Sequence, residues 1–478
     1  MSEEKVSRRK YVKYAAAGVV VVAVAAGGGY YYTQTQRKPK TVRYLGDPFH
    51  FPEDAAVKWN KEHPLIQVEQ TFVPFFALGQ RQLADPTAWD IGSSGRHRQL
   101  ITAGVLQKIP IEKVPRWELD KVLDIFNDPG KGLPLMQKNY PEQVDRFLSL
   151  LWYEPVKYFA AVPFFWNFDS CTYLPEFLPY EEKPNQTSFS YSELWNPEWK
   201  GRVGCQDEGL TTFAEATNEL NAEGELPQVG NPCNMNEEEI DRVFNYLLPI
   251  VKSGQIRTFW FDYGDIVNLL STREVWLSST WQPPSFDCRK AGTPAYYAAL
   301  KNGPFLWYNC YYMSKYHNPD VTEECYEIIS WSISLWRSML YTRQGYPTSA
   351  CYWPDYKEKM GDEFYGWFYL GQPTYKSIDD ALKEDCWPNN PEFWNLEDRL
   401  KNAMFTHDVY FKNILESYFR DETTNPRSGS PHPKGNVRDL TSVDFKKKIT
   451  RYFLSPELPD KNDYYVKKFE ELKANLPT

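Results

Sequence analysis

Residues 259–284 read FWFDYGDIVNLLSTREVWLSSTWQPP; after a short basic segment, CRKAG at 288–292, residues 303–313 read GPFLWYNCYYM. Positions 265–270 carry apolar residues at helical spacing, and Ser271, Thr272 and Arg273 form a turn. Positions 274–278 then alternate as a strand does, with Val275 and Leu277 on one face and Trp276 on the other. A short helix feeding a strand that stops at a Trp281-Gln282-Pro283-Pro284 loop places an indole at the strand's carboxyl end. In open α/β sheets that end is where ligands bind. Trp307, with the amide of Asn309 close behind it, is expected in a similar position. Two aromatic plates with polar groups beside them form a slot for a small solute, although each tryptophan alone is equally explained as core filler.

Working outward, strands and helices alternate along the chain. Residues 41–45 read as a strand, Gly46-Asp47-Pro48 as a turn, 53–62 as a helix with Ala55, Ala56 and Trp59 inward, and 65–72 as a second strand. Such a unit of about thirty residues is the building block of a parallel sheet. Residues 88–91 read as a further strand running into Gly92-Ser93-Ser94-Gly95, where small residues either free backbone N–H groups before a helix at 96–103 or make a tight turn. The proline- and charge-rich segment 108–140 reads as surface connection, and 158–162 as a strand leading into Pro163-Phe164-Phe165-Trp166-Asn167, where the chain crosses to a second lobe. Residues 192–203 give a short helix and a strand ending on Gln206-Asp207-Glu208-Gly209. Residues 237–253 form an amphipathic helix with Ile240, Val243, Tyr246, Leu247 and Ile250 on one face. Residues 321–340 are expected to form a single helix that buries Cys325, Ile328, Ile329, Ile333 and Trp336. No period of about 20–50 residues recurs, so solenoids and propellers are excluded.

A chain of 478 residues, 42% hydrophobic, exceeds one core and predicts two or more domains. Its 54 basic and 63 acidic residues give a net charge of −9, which argues against a nucleic-acid partner and suits a cationic or neutral solute, or solubility alone. The N-terminus carries Arg8-Arg9-Lys10 ahead of an uncharged, Ala/Gly/Val-rich run at 14–36. That pattern reads as a twin-arginine-type export signal cleaved after Ala23-Val24-Ala25, or as a retained membrane anchor at 14–32; the body is then extracytoplasmic. No cysteine precedes Cys171, so an N-terminal lipidated cysteine is excluded, and the eight cysteines, an even number with no Cys-x-x-Cys pair, fit disulfides better than zinc. Asn185-Gln186-Thr187 is a glycosylation sequon.

Taken in order, several segments resemble the extracellular solute-binding proteins of ABC importers, in the branch near the spermidine/putrescine receptors. They are Trp89-Asp90-Ile91-Gly92-Ser93-Ser94, residues 103–109 (AGVLQKI), 161–166 (AVPFFW), 194–203 (LWNPEWKGRV) and 264–270 (GDIVNLL). Trp281, Lys301-Asn302-Gly303-Pro304, Trp307 and Gly345-Tyr346-Pro347-Thr348 continue the series. The resemblance covers about two thirds of the chain and implies an α/β, bilobal, type II periplasmic-binding-protein-like fold with crossover strands between lobes. The implied plan is a signal or anchor helix at 1–32, a linker at 33–40, the first lobe at 41–162, the second at 163–303, a return at 304–350, and a C-terminal helical extension at 351–478 packed on the lobes. Within the extension, 395–420 reads as a helix, 421–439 as an exposed loop and 446–451 as a basic patch.

Carried over residue by residue, the resemblance implies that Trp281 and Trp307 stack on the ligand. It places Asp47, Ser93, Ser94, Trp166 and Tyr346 among the other contacts, with Asp207 and Glu208 in the second lobe. It also implies a monomer that delivers its solute to permease subunits, with no cofactor, metal or catalytic residue. One position departs from the pattern. Where polyamine receptors carry an aspartate two residues after the second tryptophan, this chain has Asn309, and losing one partner of a buried ion pair costs about 3–5 kcal/mol. Asp262 is the candidate to supply the missing charge. Three other functions compete. One is an exported glycan-active hydrolase, for which no elbow, zincin or paired acidic motif stands out among six scattered histidines. The second is a ferric-iron receptor using Tyr296-Tyr297 or Tyr311-Tyr312, and the third a purely structural surface protein.

Overall fold

A computed structural model describes residues 39–369, with short gaps, together with 453–454 and 459–477. The N-terminal signal or anchor, the sequon, Cys233, Cys386, Lys301-Asn302-Gly303-Pro304 and most of the C-terminal extension, including 395–420, 421–439 and 446–451, lie outside the described residues. Among those described, no helix is long and apolar enough to cross a membrane.

The chain opens with β1 (Lys40–Gly46), α1 (Glu53–Glu62), β2 (Ile66–Phe72) and β3 (Ile91–Ser94). β1 lies between β2 and β3, parallel to both, with Tyr44 opposite Ile91. α1 buries Ala55, Ala56 and Trp59 on one face, as its spacing requires. Next come β4 (Val162–Tyr173), β5 (Val203–Gln206), α2 (Gly209–Glu223), α3 (Glu237–Lys252), β6 (Ile256–Trp260), α4 (Tyr263–Ser271), β7 (Leu277–Thr280), α5 (Pro283–Lys290) and β8 (Tyr296–Tyr297). β9 (Phe305–Met313), α6 (Thr322–Trp331), α7 (Leu335–Arg343) and α8 (Asn462–Lys473) follow.

Sheet order is β2-β1-β3-β9-β4-β7-β5-β6, with β8 on β4. The twelve-residue β4 explains the two-lobed form. Its first part, through Asp169, pairs with β9, and its last four residues, Ser170 to Tyr173, pair with β7. At about 3.3 Å per residue it is long enough to serve two sheets. One core holds Phe164, Phe165 and Trp166 with the first elements, β9 and α6–α7; a second holds Cys171 and Tyr173 with α2, α3 and β5. Between them β4 carries Asn167, Asp169 and Ser170, all buried and polar. α8 packs on α2 and α3: Tyr465, Phe469 and Leu472 join the second core, and a Cβ on Gly209 would lie 2.7 Å from that of Phe469.

Several sequence expectations are corrected. Segment 108–140 is no surface connection: Val114, Trp117, Val122, Ile125 and Phe126 are buried in the first core, and their irregular spacing among prolines and charges hid them from any periodicity test. The helix expected at 321–340 is two, broken where the Ser332 hydroxyl bonds back to the Ile329 carbonyl at 2.6 Å. The strand expected at 274–278 starts later, at Leu277, after a turn whose Arg273 has φ 61°. The Trp-Gln-Pro-Pro loop is short because Pro283 opens α5, a position where proline's missing N–H costs nothing. Cys171, Cys205, Cys310 and Cys325 are buried free thiols, so the eight cysteines do not form four disulfides. A cysteine can fill a core as a small apolar residue, and an even count carries no information about pairing.

Candidate functional site

Where β4 and β9 pass between the two cores they form a floor. Asn167 stands opposite Trp307, and Phe165 opposite Asn309. Cross-strand partners share a face, as do residues two apart, which lines up Phe165, Asn167 and Asp169 beside Trp307 and Asn309. The Trp307 indole is half-buried, edge-on to Phe165 at 5.7 Å and to Tyr346 at 5.3 Å, and donates its Nε1–H to Asp169 Oδ1 at 2.6 Å. Tyr346 reaches this floor because the segment after it bridges to β4, Thr348 opposite Phe165.

The first-lobe wall comes from the turn after β1. A Cβ on Gly46 would run into the Tyr44 hydroxyl and lie 2.8 Å from Ser93 Oγ, so the chain turns tightly there only because the residue is glycine. The turn presents Asp47, whose Oδ1 accepts the Phe49 N–H at 2.8 Å. The second-lobe wall comes from β6–α4 and β7–α5. Trp281 is half-buried and edge-on to Trp260 at 5.4 Å. Gln282 Oε1 accepts from Asn167 Nδ2 at 3.2 Å, and Tyr263 donates its hydroxyl to Asp287 Oδ2 at 2.6 Å.

Burial dominates the electrostatics of the carboxyls here. Burial pushes Asp169 up to about 7, against the pull of the Trp307 and Gln206 hydrogen bonds and the Arg96 charge. Burial likewise pushes Asp47 up to about 6, against the Phe49 amide. The Tyr346 phenol is held well above its usual value by burial and then by the negative fields of Asp169, Asp287 and Asp47. Asp169 and Asp47 therefore carry their charge at a cost that protonation or a cation relieves.

The sequence-derived residues separate into groups. Trp307, Asn309 and Tyr346 are brought together on the floor with Asp47 nearby, while Trp281 packs on Trp260 in the second lobe, next in the chain to the Gln282 that reaches Asn167. Trp166 lies on the opposite face of β4, fully enclosed, its indole N–H toward the Thr348 carbonyl at 3.3 Å, so it cannot stack on a solute. Ser93 and Ser94 are buried in β3 itself; Ser93 Oγ meets the Tyr44 hydroxyl at 2.7 Å and His50 Nδ1 at 3.0 Å, and Ser94 Oγ accepts the Arg96 N–H at 2.8 Å. Asp207 pairs with Lys473 of α8 at 2.6 Å. Glu208 pairs with Arg96, an ion pair that joins the loop after first-lobe β3 to the start of second-lobe α2. Asp262 is exposed and caps α4 through the Gly264 N–H at 2.7 Å, which leaves it no part in replacing the charge absent at Asn309. Asp169, Asn167, Gln282, Tyr263 and Asp287 were missed. The available signal was Asp169 itself, an acid directly after the run Val162-Pro163-Phe164-Phe165-Trp166-Asn167-Phe168, in which Asn167 is the one polar residue.

Tyr311 and Tyr312 do not make a metal site together. Tyr311 and Tyr312 are buried on opposite faces of β9, donating to the His50 carbonyl at 2.6 Å and Gln82 Oε1 at 2.8 Å. Among the described residues no cluster of three His, Cys, Asp or Glu side chains is placed to hold a metal ion.

No protein-family model matches this chain, and no curated protein does. Solved structures do. A protein from Listeria monocytogenes assigned as a spermidine/putrescine ABC transporter superposes with a TM-score of 0.51 at 12% identity, over 91% of this chain and 98% of that one. The TpPotD lipoprotein of Treponema pallidum superposes with a TM-score of 0.51 at 9% identity, over 91% and 100%. At such identities the likeness is one of fold, and the fold is the bilobal type II arrangement of periplasmic binding proteins.

Proposed function

We propose that this chain is an extracytoplasmic solute-binding protein of an ABC importer, and that it captures a small organic cation of the polyamine class between its lobes for delivery to permease subunits. The observation that carries this is the enclosed Asp169 carboxyl, held by the Trp307 indole on the strand pair that runs between the two cores. The fold shared with the two structures above supports it, one of them assigned to spermidine/putrescine transport. A methylene chain laid against Trp307 and Trp281 loses water-exposed apolar surface, while ammonium ends gain cation–π contacts of about 1–2 kcal/mol each once desolvated. Asp169 on β4 does the work that Asn309 on β9 cannot, because the two strands present the same face to the cleft. A solute touching both walls favours the closed form by its contacts there, and that form is the one a permease reads. The export reading of the N-terminus and a monomeric state belong to this proposal.

A thermal-shift and calorimetric screen of the purified protein tests it, with putrescine, spermidine, amino acids, sugars and ferric iron as probes. A bound cation at a hundred times its Kd adds about 2.7 kcal/mol to stability. Stabilisation by sugars or ferric iron alone, or product formed from a glycan panel, overturns it.

A further inference from the structure

Two side chains on the floor are left with an unmet demand. Asn167 is 1% exposed and Asn309 5%, and the Oδ1 atom of each is buried with no hydrogen-bond partner among the described residues. The Asn167 Nδ2 is committed to Gln282 Oε1 at 3.2 Å, which turns its carbonyl oxygen away from that contact. Phe165 pairs with Asn309 and Trp307 with Asn167, so the two amides are diagonal neighbours on one face, at the spacing where side chains from adjacent strands reach each other. A buried acceptor without a donor is rare in native structures and costs stability, so two of them on the floor of a cleft point to donors brought by a ligand.

The chemistry of those donors follows from what surrounds them. Both acceptors are neutral. A primary ammonium is compact and strongly hydrated, and two amide oxygens repay little of its desolvation. A planar head with several N–H bonds and spread or absent charge, a guanidinium or a ureido group, loses less water and offers its hydrogens in a fixed fork that two separated oxygens can accept. Asp169 sits two residues beyond Asn167 on the same face, where an ammonium at the other end of the molecule finds its counter-charge against Trp307. We infer that Asn167 and Asn309 form a specificity subsite for a planar, N–H-rich head group, so that the preferred solute is an aminoalkyl guanidine or aminoalkyl urea rather than a simple diamine. This rests on the cation-binding function proposed above.

Titration calorimetry of the full-length protein with agmatine, N-carbamoylputrescine and putrescine tests the inference, since the three share a four-carbon spacer and one ammonium and differ only in the second head. Agmatine, N-carbamoylputrescine or both should bind at least tenfold more tightly than putrescine. Asn309→Asp and Asn167→Asp, which keep shape and therefore folding, should each change that ranking by raising agmatine and putrescine relative to N-carbamoylputrescine, whose head is uncharged, while Asp169→Asn should weaken all three probes together. If putrescine binds as well as or better than both others, or if the ranking is the same in both aspartate variants, the amide subsite is refuted while a common loss in Asp169→Asn still upholds cation capture. If none of the three binds the unaltered protein, cation capture fails and this inference with it.

Discussion

Replacing Asp169 by asparagine should move stability and binding in opposite directions. The side chain is nearly enclosed and its carboxyl is pushed up to about 7 by burial. In an unfolded chain the same group ionises near 3.8. Each unit of displacement is worth about 1.4 kcal/mol, so ionised Asp169 burdens the folded protein by at most about 4 kcal/mol at pH 8. We expect about half of that to be realised, because opening of the cleft lets water reach the anion. Asparagine keeps an acceptor for the Trp307 N–H and removes the charge. The unliganded variant should therefore be about 2 kcal/mol more stable than the parent at pH 8, by a gap that shrinks to about 1 kcal/mol at pH 5 and closes below about pH 4, where the carboxyl is protonated in the folded and unfolded chain alike. Binding responds the other way. A desolvated ammonium stripped of its partner charge loses about 3 kcal/mol, roughly a hundredfold in affinity. Urea unfolding at the two pH values and calorimetry with spermidine or agmatine measure both arms. A variant that binds as tightly as the parent, or that gains no stability at pH 8 over pH 5, refutes the placement of Asp169 as the recognition charge.

Cation binding should release protons. Asp47 and Asp169 both ionise less readily folded than unfolded, so the unliganded protein holds extra protons between about pH 4 and 7 and loses stability as pH rises through that interval. A bound cation reverses the preference; calorimetric enthalpies at pH 6.5 should vary with the buffer's ionisation enthalpy, and affinity should rise toward pH 8. Buffer-independent enthalpies would contradict this. Arg96→Met removes the ion pair that ties the two lobes together across the cleft. Because both side chains are mostly shielded, the closed form should lose roughly 1–2 kcal/mol, read as a larger radius of gyration with ligand present and about tenfold weaker binding. An unchanged scattering curve counts against the pair as a latch. Cys171, Cys205 and Cys310 have thiols that burial pushes well above their usual range, so an aqueous thiol reagent should leave them unmodified until urea unfolds the protein. Rapid native-state labelling mapped to any of the three would show that the second core or the floor opens readily.

How much was legible depended on whether a signal was local. The unit of β1, α1 and β2 could be read because two periods, 2 and 3.6, succeed each other over a few residues with a turn between them. Trp281 could be placed just past the end of its strand because the prolines after it cannot continue the ladder, whereas Trp307, expected at a strand's carboxyl end, is the third residue of β9. The burial of the segment around Trp117 and Phe126 was illegible because these two rings are gathered by tertiary packing against Trp152, Phe159 and Phe147. No short-range pattern records that. The free thiols were illegible for a related reason: compartment suggests what cysteines could do, and only the positions of their neighbours say what they do.

The charge missing at Asn309 was the harder case. A motif compared position by position sees an aspartate lost from β9 and looks for its replacement nearby in sequence, which led to Asp262. The fold offers a different neighbourhood. Because β4 and β9 are antiparallel partners across the hinge, a carboxylate on either strand addresses the same volume, and Asp169, although 140 positions away in number, lies against Trp307 through a hydrogen bond. The move has a consequence for recognition. With the acid on β4, the amides of Asn167 and Asn309 are left on its flank as neutral acceptors, so the site gains a charged end and an uncharged one instead of two charged ends. Under the cation capture proposed above, such a site should discriminate between the two ends of its solute, which a symmetric diamine cannot exploit.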